Sequence, residues 1–272
     1  MTSYAIEPIG ILDTCFPDKF GIPRQAGLAP SAKGILTLHA PYNNPDCVEG
    51  LEGVSHLWLT FIFHEHIDKA WKPKVRPPRL GGNEKVGVFA TRSSFRPNNL
   101  GLSLVKLDKI ECSGQQLRLH LSGVDLVSGT PIVDIKPYLA YADSMPHAIN
   151  TLAEQTPATI DVIFSASALA FCQQYGTGLN AGLSTEPFSS PLIDLKQLII
   201  EVLQQDPRPA YHRSASKEEV SRGCASIDNA TEASVREYGI ALMDCNVRWQ
   251  CEVLSQGTTI KVLDVQRLKL PK

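Results

Sequence analysis

The chain has 272 residues, 43% apolar and 20% charged, with a formal net charge of −2, a composition that places it among ordinary soluble globular proteins. No apolar run approaches the roughly 20 residues of a membrane span, and the first residues lack the basic start and apolar core of a signal peptide. Seven cysteines without a Cys-x-x-Cys argue for a reducing compartment, simplest as the cytoplasm, and against a disulfide framework or a zinc ribbon.

In chain order, residues 4–12 read as a first strand, followed by Lys19-Phe20-Gly21-Ile22-Pro23-Arg24-Gln25, a loop with basic residues beside Pro and Gly. Residues 34–39 form a second strand. The apolar core of 51–64 reads as a buried strand because it is aromatic and β-branched. Residues 75–103 then carry Arg76, Arg79, Arg92 and Arg96 among prolines, glycines and short polar residues. Pro fixes φ and Gly permits unusual backbone shapes, so the path of this loop is specified, and its guanidinium groups suit carboxylate or phosphate. The plainer reading is a solvated, proline-rich connection. Short strands at 86–91 and 102–110 flank residues 92–99, and the strict alternation of 117–122 makes it the clearest half-buried strand. Residues 132–135 add another. Short strands with turn signals and no helix between them predict a small antiparallel β-barrel over residues 1–145, not a Rossmann sheet.

Beyond residue 145 the pattern predicts a smaller α+β domain, residues 146–272, so the whole chain is mainly β. A strand at 161–164 and a helix at 167–175 precede a second helix, opened by Ser190-Pro191 and stopped by Asp206-Pro207. Residues 246–254 and 259–268 close the chain as a hairpin.

The net charge hides an asymmetry. Residues 69–96 hold eight basic residues against Glu84 alone, whereas residues 150–205 hold five acids against Lys196 alone. A local basic patch steers a polyanion to one face. There is no Walker loop, no G-x-S-x-G elbow and no strand–helix context for a dinucleotide loop. His64 and His66 share a face with His56 if the segment is extended, which raises a zinc hydrolase as one alternative, although no carboxylate or cysteine cluster supplies a partner. A non-catalytic barrel that binds RNA or a protein partner through the same basic loops is the other. Asp206-Pro207-Arg208-Pro209-Ala210-Tyr211 is either a helix stop with a surface turn or a stiff turn that holds a splayed-out base.

The runs Phe20-Gly21-Ile22-Pro23-Arg24-Gln25, Val75-Arg76-Pro77-Pro78-Arg79-Leu80-Gly81-Gly82-Asn83, Gly87-Val88-Phe89-Ala90-Thr91-Arg92-Ser93, Phe95-Arg96-Pro97-Asn98 and Asp134-Ile135-Lys136-Pro137-Tyr138 resemble the TsaA/TrmO family of S-adenosylmethionine-dependent tRNA methyltransferases built on a β-barrel. Asp206 to Tyr211 and Asn246-Val247-Arg248-Trp249 resemble the bacterial branch with a C-terminal extension. Position 65 is Glu where the family pattern has Gln.

The resemblance implies methyl transfer from S-adenosylmethionine to N6 of threonylcarbamoyl-adenosine beside the anticodon of a threonine tRNA. It also implies a homodimer with the cofactor near the subunit interface. Carried over by motif, the cofactor contacts are Pro23, Arg24, Gln25, His64, Glu65, Arg92, Leu102, Ser122, Gly123, Val124 and Asp125, and no metal is expected. Within that frame Arg92 or Arg24 pairs the methionine carboxylate and Asp125 the ribose. His64 or Asp206 serves as a modest base, and Tyr138 and Tyr211 stack a base. Arg76, Arg79 and Arg96 meet phosphates.

Overall fold

The structure, a computed structural model, describes residues 2, 4–77, 84–153, 157–175, 193–208, 236–254 and 257–268. Arg79, Tyr211 and the Ser190-Pro191 helix start lie outside the described residues.

Strand β1 (Gly10–Thr14), β2 (Lys33–Leu38), β3 (His56–Ile62), β6 (Leu100–Ser113), β7 (Gln116–Ser122) and β8 (Thr130–Pro137) close an antiparallel barrel in the order β1-β2-β7-β6-β3-β8. The strand β4 (Lys74–Val75) and its antiparallel partner β5 (Val86–Gly87) make a separate two-stranded arm. Alternation decides which face is buried, because successive strand side chains point to opposite sides of the sheet. Leu57, Leu59 and Phe61 of β3 and Leu117, Leu119 and Leu121 of β7 therefore fill the barrel, with Leu12, Leu36 and Ile132 beside them. The apolar stretch from residue 51 becomes strand only at His56, because a turn of 3-10 helix occupies Leu51–Gly53. The stretch predicted as a strand at 86–91 is strand for two residues and then a 3-10 turn, Val88–Ala90. The first strand starts at Gly10, later than its apolar character predicts.

Gly101 lies on the inner face of β6 under the Phe61 ring; a Cβ there would sit 2.2 Å from the Phe61 Cζ. Gly101→Ala is expected to lower stability by about 1–3 kcal/mol through overpacking. Urea unfolding checks this as a lower midpoint at unchanged slope.

Antiparallel pairing has a consequence for function. The connections β1–β2, β3–β6 and β7–β8 all leave the barrel at one rim, and the opposite rim carries the remaining, mostly shorter ones. The three loops with the polar motifs are thus delivered to a single place.

The C-terminal region is α+β. A four-stranded sheet has the order β10 (Glu237–Leu242), β11 (Cys245–Leu254), β12 (Gly257–Arg267), β9 (Asp161–Phe164), with β9 parallel to β12. Helix α1 (Ala140–Asp143) is a single turn after the barrel, and α2 (Ala166–Tyr175) packs on β12. Helix α3 (Leu195–Leu203) is capped by Asp194, whose side chain accepts from the Gln197 amide at 3.0 Å. Its Leu195, Leu198, Ile199, Val202 and Leu203 are buried in one hydrophobic cluster with Trp249, Val247 and the barrel residues. Strand β10 has no counterpart among the sequence expectations.

Candidate active site

The β1–β2 loop reaches the β7–β8 loop through backbone alone. The Gly27 amide donates to the Gly123 carbonyl (2.9 Å) and the Gly123 amide to the Ala32 carbonyl (2.8 Å). Gly123 holds this position at φ +71, in the left-handed region that favours glycine. With the two loops tied, Gln25 and Asp125 come to the same side of the rim as Arg92 from the β3–β6 connection. The Gln25 side-chain oxygen accepts from Arg92 Nη1, which aims the exposed guanidinium. Two consecutive asparagines with positive φ, Asn98 (64°) and Asn99 (51°), turn that connection back into β6.

Asp125 is the best-organised acid of the rim. Its Oδ1 accepts from Ser103 Oγ at 2.5 Å, and the backbone amide of Ala26 and the charge of Arg92 also favour its ionised form. Burial nevertheless outweighs these and pushes its carboxyl above the usual carboxylate range. Ser103 is 3% exposed and was not singled out from the sequence. The signal was available, since residues 101, 103 and 105 share the inward parity of β6 and a serine there is a polar group in a core position.

Beside Asp125 lies an open cleft of about 200 Å³, lined by Phe61, Phe63, His64, Glu65, Leu126 and Lys19 among others. His64, Glu65 and His66 form a turn of 3-10 helix. Burial lowers the pKa of His64, with Lys19 lowering it further against a hydrogen bond to the Ile62 backbone, so its imidazole is neutral at neutral pH. Glu65 pairs with Lys19 at 2.6 Å. Lys19 is a second residue that the motifs did not mark.

Other expected contacts take different places. Val124 is fully buried and packs into the core, so any contact it makes with a ligand is through its backbone. The Ser122 hydroxyl donates to Asp108 (3.0 Å), an acid displaced by a bulge in β6 and also paired with Lys33 (2.7 Å). Leu102 is 56% exposed on the outer face of β6, one residue from Ser103 and therefore on the opposite side of the sheet. Pro23 is buried in the β1–β2 loop, while Arg24 stands exposed next to it. Arg96 is half-buried and donates to the carbonyls of Thr91 (3.1 Å) and Ser93 (3.5 Å), which makes it a strut of its loop. Arg76 is exposed beyond β4 on the basic arm. Tyr138 follows β8, and its amide donates to the His56 carbonyl, so it belongs to the opposite rim, against Trp58. Asp206 is buried and held by Arg208 at both carboxylate oxygens (2.7 and 3.0 Å).

The three-histidine alternative fails on geometry. His56 begins β3 and His64 follows its end, a separation of about 20 Å for a strand of this length. His64 and His66 share a helical turn, not an extended face. Among the described residues no group of three His, Cys, Asp or Glu is placed to hold a metal ion. No helix among them is long and apolar enough to cross a membrane, and the described cysteines are free.

Comparison with known proteins agrees with this architecture at both ends of the chain. The family model described as the tRNA-methyltransferase O N-terminal domain matches residues 11–144, and that of the TrmO C-terminal domain matches residues 157–268. The tRNA (adenine(37)-N6)-methyltransferase of Escherichia coli is 43% identical over 250 residues, covering 92% of this chain and 94% of that protein. A Pseudomonas aeruginosa protein bearing the name S-adenosylmethionine-dependent methyltransferase RcsF, a designation itself provisional, is 40% identical over 97% of this chain and 98% of its own. A crystal structure of TrmO from Pseudomonas aeruginosa superposes with a TM-score of 0.71 at 36% identity, covering 98% of each chain. With its barrel, its α+β extension and most of its length matched, the chain belongs to the TrmO family of tRNA (adenine-N6)-methyltransferases.

Proposed function

We propose that this enzyme methylates N6 of threonylcarbamoyl-adenosine next to the anticodon of a threonine tRNA, with S-adenosylmethionine as donor, as a homodimer in the cytoplasm. The observation that carries the reading is the convergence of Gln25, Arg92, Ser103 and Asp125 from separate loops and a strand at one rim, beside the cleft that His64 lines. These groups fit the donor's polar ends. The guanidinium aimed by Gln25 suits a carboxylate, and an acid pre-oriented by Ser103 and the Ala26 amide suits ribose hydroxyls. Both are charged or strongly polar, while Phe61 and Leu126 offer apolar contact for a ring or a thioether stem.

S-adenosylmethionine supplies an electrophilic methyl on a sulfonium, so the chain mainly has to align the acceptor nitrogen with it. The carbamoyl substituent makes the N6 proton more acidic than that of a plain exocyclic amine, and a neutral imidazole at His64 is a sufficient acceptor for it. Asp206 is already held at both oxygens by a buried arginine, so in this arrangement its carboxylate organises the turn after α3. Arg76 and the lysines of the basic arm suit tRNA phosphates, as Tyr138 suits a base that reaches the opposite rim.

The dimer reading rests on two features. The cleft is smaller than the ~300–1,000 Å³ of sites that enclose a ligand of this size, and it is open. Large apolar side chains also stand uncovered on the β3–β6 connection and β6, namely Ile67, Trp71, Phe89 and Leu102. A second subunit covering them would complete the cleft.

Incubation with methyl-labelled S-adenosylmethionine and total tRNA, prepared with and without the threonylcarbamoyl group, tests the assignment. Label is expected only in the modified pool, in a threonine-accepting species. Equal labelling of both pools would overturn the substrate, and absence of label from both would overturn the activity.

A further inference from the structure

The C-terminal region grips the β1–β2 loop at points that have no part in closing the barrel. Glu201 of α3, 7% exposed, accepts from the Ser31 amide (2.7 Å) and the Ser31 hydroxyl (3.0 Å). Gln197, one turn earlier on the same helix, supplies a further donor to it at 3.0 Å. Gln205 donates to the Leu28 carbonyl (3.2 Å) while also holding the Glu201 carbonyl (2.7 Å). Glu201 is thus a buried carboxylate satisfied by neutral donors, two of them on the loop. A buried charge in such a setting is costly to leave unpaired, so the loop residues that satisfy it are held tightly.

The far side of the same loop carries Gln25 and the Ala26 amide, which meet Arg92 and Asp125. We infer that Glu201 is a positioning residue for the cofactor site: through Ser31, and with Gln205 through Leu28, it holds the β1–β2 loop in the path that delivers Gln25 and Ala26 to the rim. This rests on the cofactor reading given above. The physical link is a population argument. A loop that visits the binding-competent path only a fraction of the time weakens apparent affinity by that fraction. The C-terminal region then acts on cofactor affinity without touching the cofactor.

Calorimetric titration of S-adenosylmethionine into the full-length wild type, Glu201→Ala, Glu201→Gln and Gln205→Ala, well below each melting transition, tests it. Glu201→Ala is expected to weaken binding about tenfold, since loss of hydrogen bonds to a charged group lets the loop leave its bound path. Glu201→Gln keeps an acceptor for the Ser31 amide and is expected to restore most of the affinity. Gln205→Ala, which spares the carboxylate, is expected to weaken it about threefold and keeps the test open if Glu201→Ala does not fold. In turnover the loss is expected in KM for the cofactor, with kcat at saturation little changed. A merely structural contact would lower the melting temperature and leave KM alone. Folded Glu201→Ala and Gln205→Ala variants that bind within twofold of wild type would overturn the inference while leaving the cofactor reading intact. A wild type that binds no S-adenosylmethionine would overturn both.

Discussion

Asp125→Asn is expected to make the protein more stable at neutral pH and, at the same time, to weaken S-adenosylmethionine binding about a hundredfold. The two effects have one origin. Burial pushes the Asp125 carboxyl above its ordinary value of 3.8, so the folded state disfavours its charge. A raised acid holds its proton in the native state over a pH range where the unfolded chain has released it. Its contribution to stability is therefore fully present below 3.8 and is lost as pH rises through the raised value. Above the raised value the wild type carries that loss. Asn keeps an oxygen for the Ser103 hydroxyl and removes the charge, for an expected gain of about 0.5–2 kcal/mol. The gain should shrink as pH falls and Asp125 takes up its proton. Urea unfolding at neutral and acidic pH reads the first effect, and calorimetry with S-adenosylmethionine reads the second. On the cofactor reading proposed above, the binding loss follows because an amide offers a donor where a carboxylate would present acceptors to the ribose hydroxyls. A stability difference independent of pH would mean that the Asp125 charge carries no native-state penalty. Unchanged affinity would remove Asp125 from the site.

What the sequence made legible is largely what depends on local pattern. The alternation of residues 117–122 places three leucines inside and Arg118 and His120 outside, and strand β7 follows it closely. The clustering of Pro, Gly and polar residues marked the loops correctly, and antiparallel closure then brought three of them to one rim. Individual side chains were harder to place, because direction depends on register. Ser122 pairs with Lys106, just short of the bulge in β6 at Asp108, and donates its hydroxyl to that carboxylate; no pattern in either strand announces the bulge. Leu102 and Ser103 are adjacent, yet the pleat sends one out and the other in, a difference that register sets and composition does not announce. Arg96 shares its composition with Arg92, but the first binds carbonyls of its own loop and the second is aimed by Gln25 across the rim. Strand β10 escaped because its alternation of Tyr238, Ile240 and Leu242 with Glu237, Gly239 and Ala241 spans only six residues, with Gly239 inside a strand and no β-branched residue but Ile240. The pairing between α3 and Ser31 joins positions 170 residues apart, and neither residue carries a local signal.

Asp206→Ala is expected to cost about 3–5 kcal/mol, because it leaves the charge of Arg208 buried without its bidentate partner. Arg208 is 6% exposed and Asp206 is 9% exposed, so water cannot replace the lost carboxylate without opening the turn. Asp206 also stands at φ 49, a conformation that Asp tolerates and Ala does not, which adds to the cost. For a chain of this size the loss corresponds to a drop in melting temperature of roughly 10 °C. Asp206→Asn separates the two contributions, since Asn accepts the backbone conformation and lacks only the charge. Combining it with Arg208→Met, which removes the buried cation while keeping much of its stem, is expected to recover a large part of the loss. The alternative role for Asp206, a base that takes the acceptor proton, makes the opposite pair of predictions. Asp206→Asn would then unfold at the wild-type temperature and lose its methylation rate, and adding Arg208→Met would restore nothing. Thermal unfolding and single-turnover methylation on the same three variants distinguish the two, because the ion pair is a property of the folded chain alone and the base is a property of the reaction. The geometry favours the ion pair, because both carboxylate oxygens already accept guanidinium hydrogen bonds within a buried turn.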